Sequence, residues 1–182
     1  QSALFDYFST VCSKPIFLSV QHQLAEPTNF SERESEKLAS ISSDKRKIEF
    51  IHGRLALKRV LSQIDCDTDT SNLSWPNTYC SLSHSGGFAV AVASTATKGI
   101  GLDLQLNKMP ALAMAERILS EQTFSYWLTL PDKEKPQILQ RLWTVNEAVY
   151  KASPEPQPAN FRHYLVNEPD SMLCNVHVES NR

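Results

Sequence analysis

The segment YCSLSHSGGFAVAVAS, residues 79–94, decides the fold class of the chain. It predicts a strand, a turn at the Gly86–Gly87 pair and a second strand, which together form a β-hairpin. A hairpin joins antiparallel strands directly, whereas parallel strands need long crossover connections. The segment therefore favours an α+β fold over a doubly wound parallel sheet.

Helices and further strands are predicted on both sides of this hairpin. Capping signals and apolar periodicity predict helices at residues 31–40, 43–63, 111–119, 121–130 and 137–152. Shorter patterns predict strands at residues 16–20, 99–105, 163–166 and 172–179. Gly53 interrupts the second helix, which indicates either close packing or a break at that point. Because both halves hold helices and strands, the chain has room for two lobes that meet at residues 95–99.

The composition is that of an ordinary globular protein, with 182 residues, 41% hydrophobic residues and a formal net charge of −2. It excludes a nucleic-acid tail and a disordered acidic chain. The four cysteines are widely separated, so reduced thiols are expected instead of a disulfide scaffold or a metal framework. The sequence has no long apolar run, so membrane insertion is not expected. It also lacks an N-terminal basic region followed by a hydrophobic stretch, so secretion is not expected. We therefore expect a cytoplasmic enzyme or binding domain.

Two acidic side chains are candidates for chemistry. In GLDLQ, residues 101–105, Asp103 and Gln105 alternate with leucines and share one face of the predicted strand. In RLWTVNEAVYK, residues 141–151, Glu147 lies among apolar residues with Lys151 one turn later. An exposed strand face and a stabilising i,i+4 ion pair are the ordinary interpretations. If the two carboxylates met with room for water, they would form an oxygen site of the kind that Mg²⁺ adopts with substrate phosphates.

Cations and hydroxyl groups that suit a phosphate occur in two earlier segments. Residues 44–59 carry six lysines and arginines against two acids, and Lys47, Arg54 and Lys58 lie along one stripe of the helix. Ser83, His84 and Ser85 precede the Gly-Gly turn, where backbone N–H groups would help to hold an anion. A solvated helix face, a nucleic-acid contact and a merely hydrogen-bonded histidine are the alternatives. Because interleaved aromatics and the GxxxxGK[ST] and GxGxxG loops are missing, a small polyanion is preferred to nucleic acid, and neither a P-loop nor a Rossmann fold is indicated.

Four segments in a fixed order resemble the Sfp-type 4′-phosphopantetheinyl transferases. They are KRKIEFIHGR (45–54), SLSHS (81–85), GIGLDLQ (99–105) and WTVNEAVYKA (143–152). The KRK…GR segment is similar to the enterobactin-synthesis branch, and AERILSEQTF (115–124) resembles the helix and turn that follow the metal strand of the family. The resemblance implies an α+β fold of two similar lobes with the active site between them. Residues 1–97 would bind the nucleotide of coenzyme A, and residues 98–182 would carry the metal and the catalytic residues.

The resemblance implies an enzyme that transfers the 4′-phosphopantetheine arm of coenzyme A to a serine of an apo acyl or peptidyl carrier protein. Adenosine 3′,5′-bisphosphate would be released. The implied enzyme depends on Mg²⁺, is a cytoplasmic monomer, has no nucleic-acid or membrane partner, and serves siderophore, polyketide or fatty-acid biosynthesis. The alternative is a non-catalytic member of the fold that binds coenzyme A or a carrier protein without reacting.

Roles for individual residues also follow from the resemblance. Asp103, Glu147 and Gln105 would bind Mg²⁺ on the pyrophosphate. Glu147 would also accept the proton of the serine hydroxyl, while Lys151 and Asp103 complete the catalytic set. The residues implied to hold coenzyme A are Lys45, Arg46 and Arg54 at its nucleotide end and Ser83 and His84 at its phosphates.

Three features depart from the family pattern. Gln105 stands where a second acid is usual, and a neutral amide is a weaker ligand for Mg²⁺ than a carboxylate. Asn146 stands where the family has a lysine, which would remove a positive charge beside the site. SWPNTYC, residues 74–80, replaces a Gly-Lys-Pro segment.

The segment at residues 106–127 is a candidate surface for the carrier protein. Its candidate contacts are Leu112, Met114, Arg117 and Ile118, which would offer apolar side chains and one cation to an acidic partner helix. The alternative is that these residues belong to the core.

Overall fold

The computed structural model describes residues 15–22, 26–106, 109–153, 160–167 and 175–178. The strands are β1 (Phe17–Gln21), β2 (Cys80–Ser85), β3 (Phe88–Ala93), β4 (Tyr164–Asn167) and β5 (Asn175–Val178). The α-helices are α1 (Glu32–Ala39), α2 (Asp44–Gln63), α3 (Ala115–Ile118), α4 (Glu121–Thr129) and α5 (Lys135–Ala152). This mixture of helices and antiparallel strands agrees with the predicted α+β class. None of the helices in the described part of the chain is both long and apolar enough to span a membrane.

The predicted hairpin is present and forms most of a three-stranded antiparallel sheet in the order β1-β3-β2. Gly86 and Gly87 make its turn with φ angles of 57° and 83°, in the left-handed region that glycine adopts at little cost. Helix α2 packs on this sheet, and its side chains Ala56, Leu57, Val60 and Leu61 form a core with Cys80, Ala91 and Ala93. The hairpin is therefore fixed by its turn and by one long helix.

Gly53 lies at a close contact between α2 and β2, and the helix continues through it. A Cβ atom at this position would lie 2.6 Å from Nε2 of His84 and 3.1 Å from Cδ2 of Leu82. Close packing, one of the two alternatives drawn from the sequence, is thus confirmed. The missing side chain is what lets the His84 ring lie against the helix.

A second apolar core joins α3, α4, α5 and β4. It contains Ala115, Ile118, Leu119, Trp127, Leu139, Leu142 and Val166. Strands β4 and β5 form a separate antiparallel pair. The helix predicted at 111–119 is shorter than expected, because a 3₁₀ turn at Leu112–Met114 precedes α3. Helix α5 starts earlier than predicted, with Pro136 in its first turn, where a missing N–H costs nothing.

The strand predicted at residues 99–105 is wrong: this segment runs beside β2 without forming a backbone ladder. The N–H groups of Leu102 and Leu104 donate instead to the hydroxyls of Ser81 and Ser83, at 3.0 and 3.1 Å. Side-chain oxygens thus take the place of main-chain carbonyls. The alternating pattern does not tell these two kinds of partner apart.

The two cysteines in the described residues, Cys66 and Cys80, are free thiols, as expected from the sequence. Cys80 is fully buried in the core under α2. Burial, with a smaller effect of Cys66, raises the pKa of the Cys80 thiol to about 12. Cys80 is therefore a small apolar core residue and not a reactive group.

A buried ion pair ties α1 to α2. The Glu34 carboxylate, 1% exposed, accepts from Lys58 Nζ at 2.7 Å and from the backbone N–H and hydroxyl of Thr70. Glu34 also completes the capping box of α1 by accepting from the N–H of Ser31 at 2.8 Å. Burial alone would raise the pKa of Glu34, but the hydrogen bonds from Lys58, Thr70 and Ser31 outweigh it and lower the pKa.

We expect Glu34→Gln to lower the free energy of unfolding by about 3 kcal/mol at neutral pH, because Lys58 then lacks its anionic partner. The lowered pKa means that the ionised Glu34 stabilises the fold above the ordinary pKa of a glutamate. This stabilisation is lost as pH falls through the lowered value. Urea unfolding across acidic to neutral pH measures it, with the exposed Glu36→Gln on the same helix as control. A difference between the Glu34 variant and the parent that stays constant with pH would contradict the assignment.

Candidate functional site

Asp103 and Lys151 form the centre of the candidate site. Their Oδ1 and Nζ atoms lie 2.6 Å apart, and the side chains are 3% and 28% exposed. Lys151 therefore pairs with an acid 48 residues away and not with Glu147, the i,i+4 partner suggested by the sequence. The pair joins the 101–105 segment to α5.

Gly101 makes this meeting possible. A Cβ atom built there would lie 1.8 Å from the carbonyl oxygen of Ala148 and 2.7 Å from the backbone nitrogen of Ala152. The backbone of the 101–105 segment thus lies directly on the last turns of α5. A glycine inside a strand-like pattern often marks such a close approach, so the sequence carries a signal for this contact.

Two more side chains hold the Asp103 carboxylate. The hydroxyl of Ser83 donates to Oδ1 at 3.0 Å, and the Gln105 amide donates to Oδ2 at 2.9 Å. Three parts of the chain therefore converge on one carboxylate: β2, the 101–105 segment and α5. The Lys151 ammonium is the charged partner of this carboxylate.

Glu147 lies on α5 one turn before Lys151 and is half-buried. Its Oε1 accepts from the indole N–H of Trp143 at 3.3 Å, and no described hydrogen bond or ion pair links it to Asp103. The remaining carboxylate oxygen has no hydrogen bond or ion pair within the described residues, but the Glu147 charge acts on Tyr164, whose pKa is raised mainly by burial. Glu147 is thus placed on the same helix as Lys151 with acceptor capacity to spare.

The side chains around Asp103 include the oxygen donors of the magnesium site expected from the sequence. Asp103, Gln105 and Glu147 offer oxygen ligands, which suit an ion that keeps several waters and also binds substrate phosphates. The described residues contain no group of three or more His, Cys, Asp or Glu side chains able to hold a metal by themselves. These side chains suit Mg²⁺ by the type of their donor atoms. For the metal to bind Asp103, either Lys151 or Gln105 must give up its hydrogen bond to that carboxylate.

The basic residues of α2 divide into structural and available ones. Lys58 forms an ion pair with Glu34 and donates to the Thr68 carbonyl at 2.8 Å. It is therefore not available to a ligand as part of the predicted cationic stripe of α2. Arg54 is half-buried, with its guanidinium 4.8 Å from the Phe50 ring centroid and 3.5 Å from the Thr70 carbonyl oxygen. Burial lowers the pKa of Arg54, and the Glu34 charge opposes this shift.

Lys45 and Arg46 lie on the exposed first turn of α2, and Lys45 is 3.9 Å from Glu49 in a solvated i,i+4 pair. Such a pair contributes little to stability, so the lysine remains available to a ligand.

His84 projects from β2 onto α2 at Gly53. Loss of water around the ring lowers the pKa of His84, and contacts with Glu49 raise it in part. A phosphate placed beside the ring would favour the charged form, because an anion stabilises imidazolium. His84 lies against α2 at Gly53, and Arg54 is the next residue of that helix, so both lie on the α2 side of the molecule.

Asn146, expected beside the site, has a packing role. It is 1% exposed, and its amide donates to the Ile118 carbonyl at the end of α3 at 3.2 Å. Its Oδ1 is buried without a partner among the described residues. The neutral side chain thus faces the second core and not the Asp103 carboxylate.

The predicted site residues therefore form two groups. One is held together by direct contacts: Asp103, Gln105, Ser83 and Lys151, with Glu147 on the same helix as Lys151. The other lies on or against α2: Lys45, Arg46, Arg54 and His84. Ser83 and His84 are neighbours on β2 and connect the two groups along the chain.

Two family models match the chain. The first, described as the 4′-phosphopantetheinyl transferase N-terminal domain, matches residues 34–94. The second, the 4′-phosphopantetheinyl transferase superfamily, matches residues 99–179. Together they cover most of the 182 residues. A search among curated proteins returns no significant match.

Proposed function

Because the chain belongs to the 4′-phosphopantetheinyl transferase superfamily, we propose that it modifies an apo acyl or peptidyl carrier protein with the 4′-phosphopantetheine arm of coenzyme A. The carrier's serine oxygen would form a new bond to the phosphorus that carries pantetheine. The bond from that phosphorus to the bridging oxygen would break, which releases adenosine 3′,5′-bisphosphate. The observation that carries the proposal is the convergence of Ser83, Asp103 and Lys151 from three separate segments.

Glu147 is proposed as the general base. Its free carboxylate oxygen would accept the proton that the serine hydroxyl loses as it attacks phosphorus. Lys151 would stabilise the negative charge that develops on the phosphate oxygens, and Asp103 holds its ammonium group in position. Asp103, Glu147 and Gln105 would hold Mg²⁺, which when bound neutralises charge on the pyrophosphate.

The α2 side of the molecule is proposed to hold the nucleotide end of coenzyme A. Lys45 and Arg46 are exposed cations on the first turn of α2, and Arg54 is a partly desolvated cation. His84, whose pKa is lowered by loss of water around the ring, would donate a ring N–H to phosphate or become charged beside it. Partly desolvated cations bind phosphate more strongly than fully hydrated ones. We propose two lobes, residues 1–97 and 98–182, with the active site between them. The two separate apolar cores, one in each part of the chain, support this division.

The remaining parts of the proposal follow from the family resemblance. We place the protein in the enterobactin-synthesis-like branch as a cytoplasmic monomer that serves siderophore, polyketide or fatty-acid biosynthesis. It would have no nucleic-acid or membrane partner.

The second candidate function is binding of coenzyme A or a carrier protein without transfer. Two observations favour it: Gln105 stands where the family usually has a second acid, and both oxygens of Asp103 already accept hydrogen bonds, Oδ1 from Lys151 and Ser83 and Oδ2 from Gln105. Calorimetry with coenzyme A, in parallel with the transfer assay, separates the two functions. Binding without turnover at saturating Mg²⁺ would support the non-catalytic function.

The test of transfer is incubation with coenzyme A, MgCl₂ and several apo carrier proteins, followed by mass spectrometry of the carrier. We expect the added arm on the carrier's serine and none when the metal is chelated. No addition on any of the carriers would refute the enzymatic proposal.

The carrier protein is proposed to dock on the exposed apolar residues that follow Gln105. Leu106, Met109 and Leu112 are 36%, 51% and 47% exposed. Ile118, in contrast, is buried in the second core, so the expectation that it contacts a carrier is wrong. Met114 packs against that core but is only half-buried, so its contact with a carrier stays a prediction.

We expect Leu112→Asp to raise the KM for the carrier about tenfold, since a central apolar contact typically contributes more than 1 kcal/mol. The KM for coenzyme A should not change. Leu128→Asp is the matched control, because Leu128 is a similarly exposed leucine outside this segment. Equal effects of the two variants would place docking elsewhere.

A further inference from the structure

Three serines of β2 connect this strand to the segment at residues 101–106. Ser81, Ser83 and Ser85 occupy alternate positions and therefore lie on one face of the strand. Each hydroxyl oxygen accepts one backbone N–H, from Leu102, Leu104 and Leu106 at 3.0, 3.1 and 2.7 Å. The three contacts form a regular series, which we call the serine row.

Ser83 differs from its two neighbours in what its proton does. A serine hydroxyl has one proton to donate, and Ser83 donates it to Oδ1 of Asp103 at 3.0 Å. The Ser85 hydroxyl instead donates its proton to the Leu106 carbonyl oxygen, at 3.3 Å. Ser83 is also only 5% exposed. Its hydroxyl is therefore fully used inside the protein and has no proton left for a phosphate of coenzyme A.

We propose that Ser83 is a positioning residue that fixes the Asp103 carboxylate, in place of the direct coenzyme A contact expected from the sequence. The role of the Asp103 carboxylate itself, in holding Lys151 and Mg²⁺, rests on the proposed function. Its other two side-chain partners, Lys151 and Gln105, are long and carry much rotamer freedom. The short serine side chain on a paired strand gives Asp103 its one rigid partner.

The serine row supplies its own matched control. Ser83→Ala and Ser81→Ala each remove one hydroxyl that accepts a leucine N–H, from buried positions of the same strand. Only Ser83→Ala also removes a donor to Asp103. A difference in stability or activity between these two variants therefore reports the contact with Asp103. It does not report the loss of a hydrogen bond from a leucine N–H, because both variants lose one.

A double-mutant cycle in urea unfolding tests the contact independently of any activity. Asp103→Ala is combined with each serine variant, and Asp103→Asn serves as a second partner if the alanine variant does not fold. We expect the Ser83–Asp103 coupling to be about tenfold in the unfolding equilibrium constant, since hydrogen bonds to charged groups are strong. The Ser81–Asp103 coupling should stay within about twofold. Equal couplings for the two serines would overturn the proposal.

Kinetics and metal binding test what the contact does. For Ser83→Ala we expect kcat to fall about tenfold with little change in the KM for coenzyme A. Titration of MgCl₂ in the presence of coenzyme A, followed by calorimetry, should show about tenfold weaker binding. Ser83→Thr, which keeps the hydroxyl, should restore much of both. A raised KM for coenzyme A at unchanged kcat would mean that Ser83 contacts a phosphate and would overturn the proposal.

The two proposals fail in different ways. If the parent protein performs no transfer, the proposed function is wrong, but the unfolding cycle still decides whether Ser83 and Asp103 interact. If transfer occurs and the couplings are equal, the function stands and the positioning role is refuted.

Discussion

Gly101→Ala is expected to lower the free energy of unfolding by about 3 kcal/mol or more and to abolish carrier modification. The added methyl would lie 1.8 Å from the Ala148 carbonyl oxygen, a separation that no pair of such atoms tolerates. The Ala148 oxygen belongs to backbone and a methyl group has no alternative rotamer, so no side-chain rotation relieves the contact. The 101–105 segment must move off α5, which separates Asp103 from Lys151.

The matched control for Gly101→Ala is Gly87→Ala, because nothing lies within 4 Å of a Cβ atom at residue 87. In that variant the free energy of unfolding should fall by only about 1 kcal/mol, because alanine would adopt the left-handed backbone conformation of Gly87. Circular dichroism with urea unfolding measures both, and mass spectrometry of the carrier measures transfer. A Gly101→Ala protein as stable and active as the parent would show that the segment does not lie on α5 as described.

Glu147→Gln is expected to lower the rate of transfer by about 10³-fold with little loss of stability, within the range usual for a general base. The glutamine has the same shape, and its amide oxygen still accepts from the indole N–H of Trp143. It cannot take up the proton of the attacking hydroxyl. Binding of coenzyme A should remain measurable by calorimetry, which separates a lost base from a lost substrate site.

Trp143→Phe is the control for Glu147→Gln, since it removes the hydrogen bond from the indole N–H but leaves the carboxylate in place. We expect most of the transfer activity to remain. Single-turnover measurements of carrier modification compare the two variants. If Glu147→Gln retains full activity, another group accepts the proton and Glu147 is not the base.

The elements set by local sequence could be predicted, because the signals for them lie within a few residues. The Gly86–Gly87 turn, the capping box of α1 and the course of α2 are of this kind. The family match confirms a phosphopantetheinyl transferase in general, while the branch and the roles of single residues stay predictions.

The parts that could not be predicted depend on which distant segment becomes a neighbour. The i,i+4 spacing of Glu147 and Lys151 left an ion pair as the ordinary interpretation, but Lys151 has its partner in Asp103. Likewise, alternation in GLDLQ predicted a strand, because a period of two does not tell a carbonyl ladder from a row of hydroxyls. Asn146 was expected beside the site because of its position in the chain, yet its helix face points it toward Ile118.

The serine row has a consequence for how this protein can change during evolution. Hydrogen bonds between two backbones are nearly the same whatever side chains the strands carry, so point mutations hardly alter them. Here the bonds between β2 and the 101–106 segment belong to side chains, and each of them is encoded by one codon. Selection can therefore loosen or tighten the junction beside Asp103 one bond at a time, without redesigning either segment.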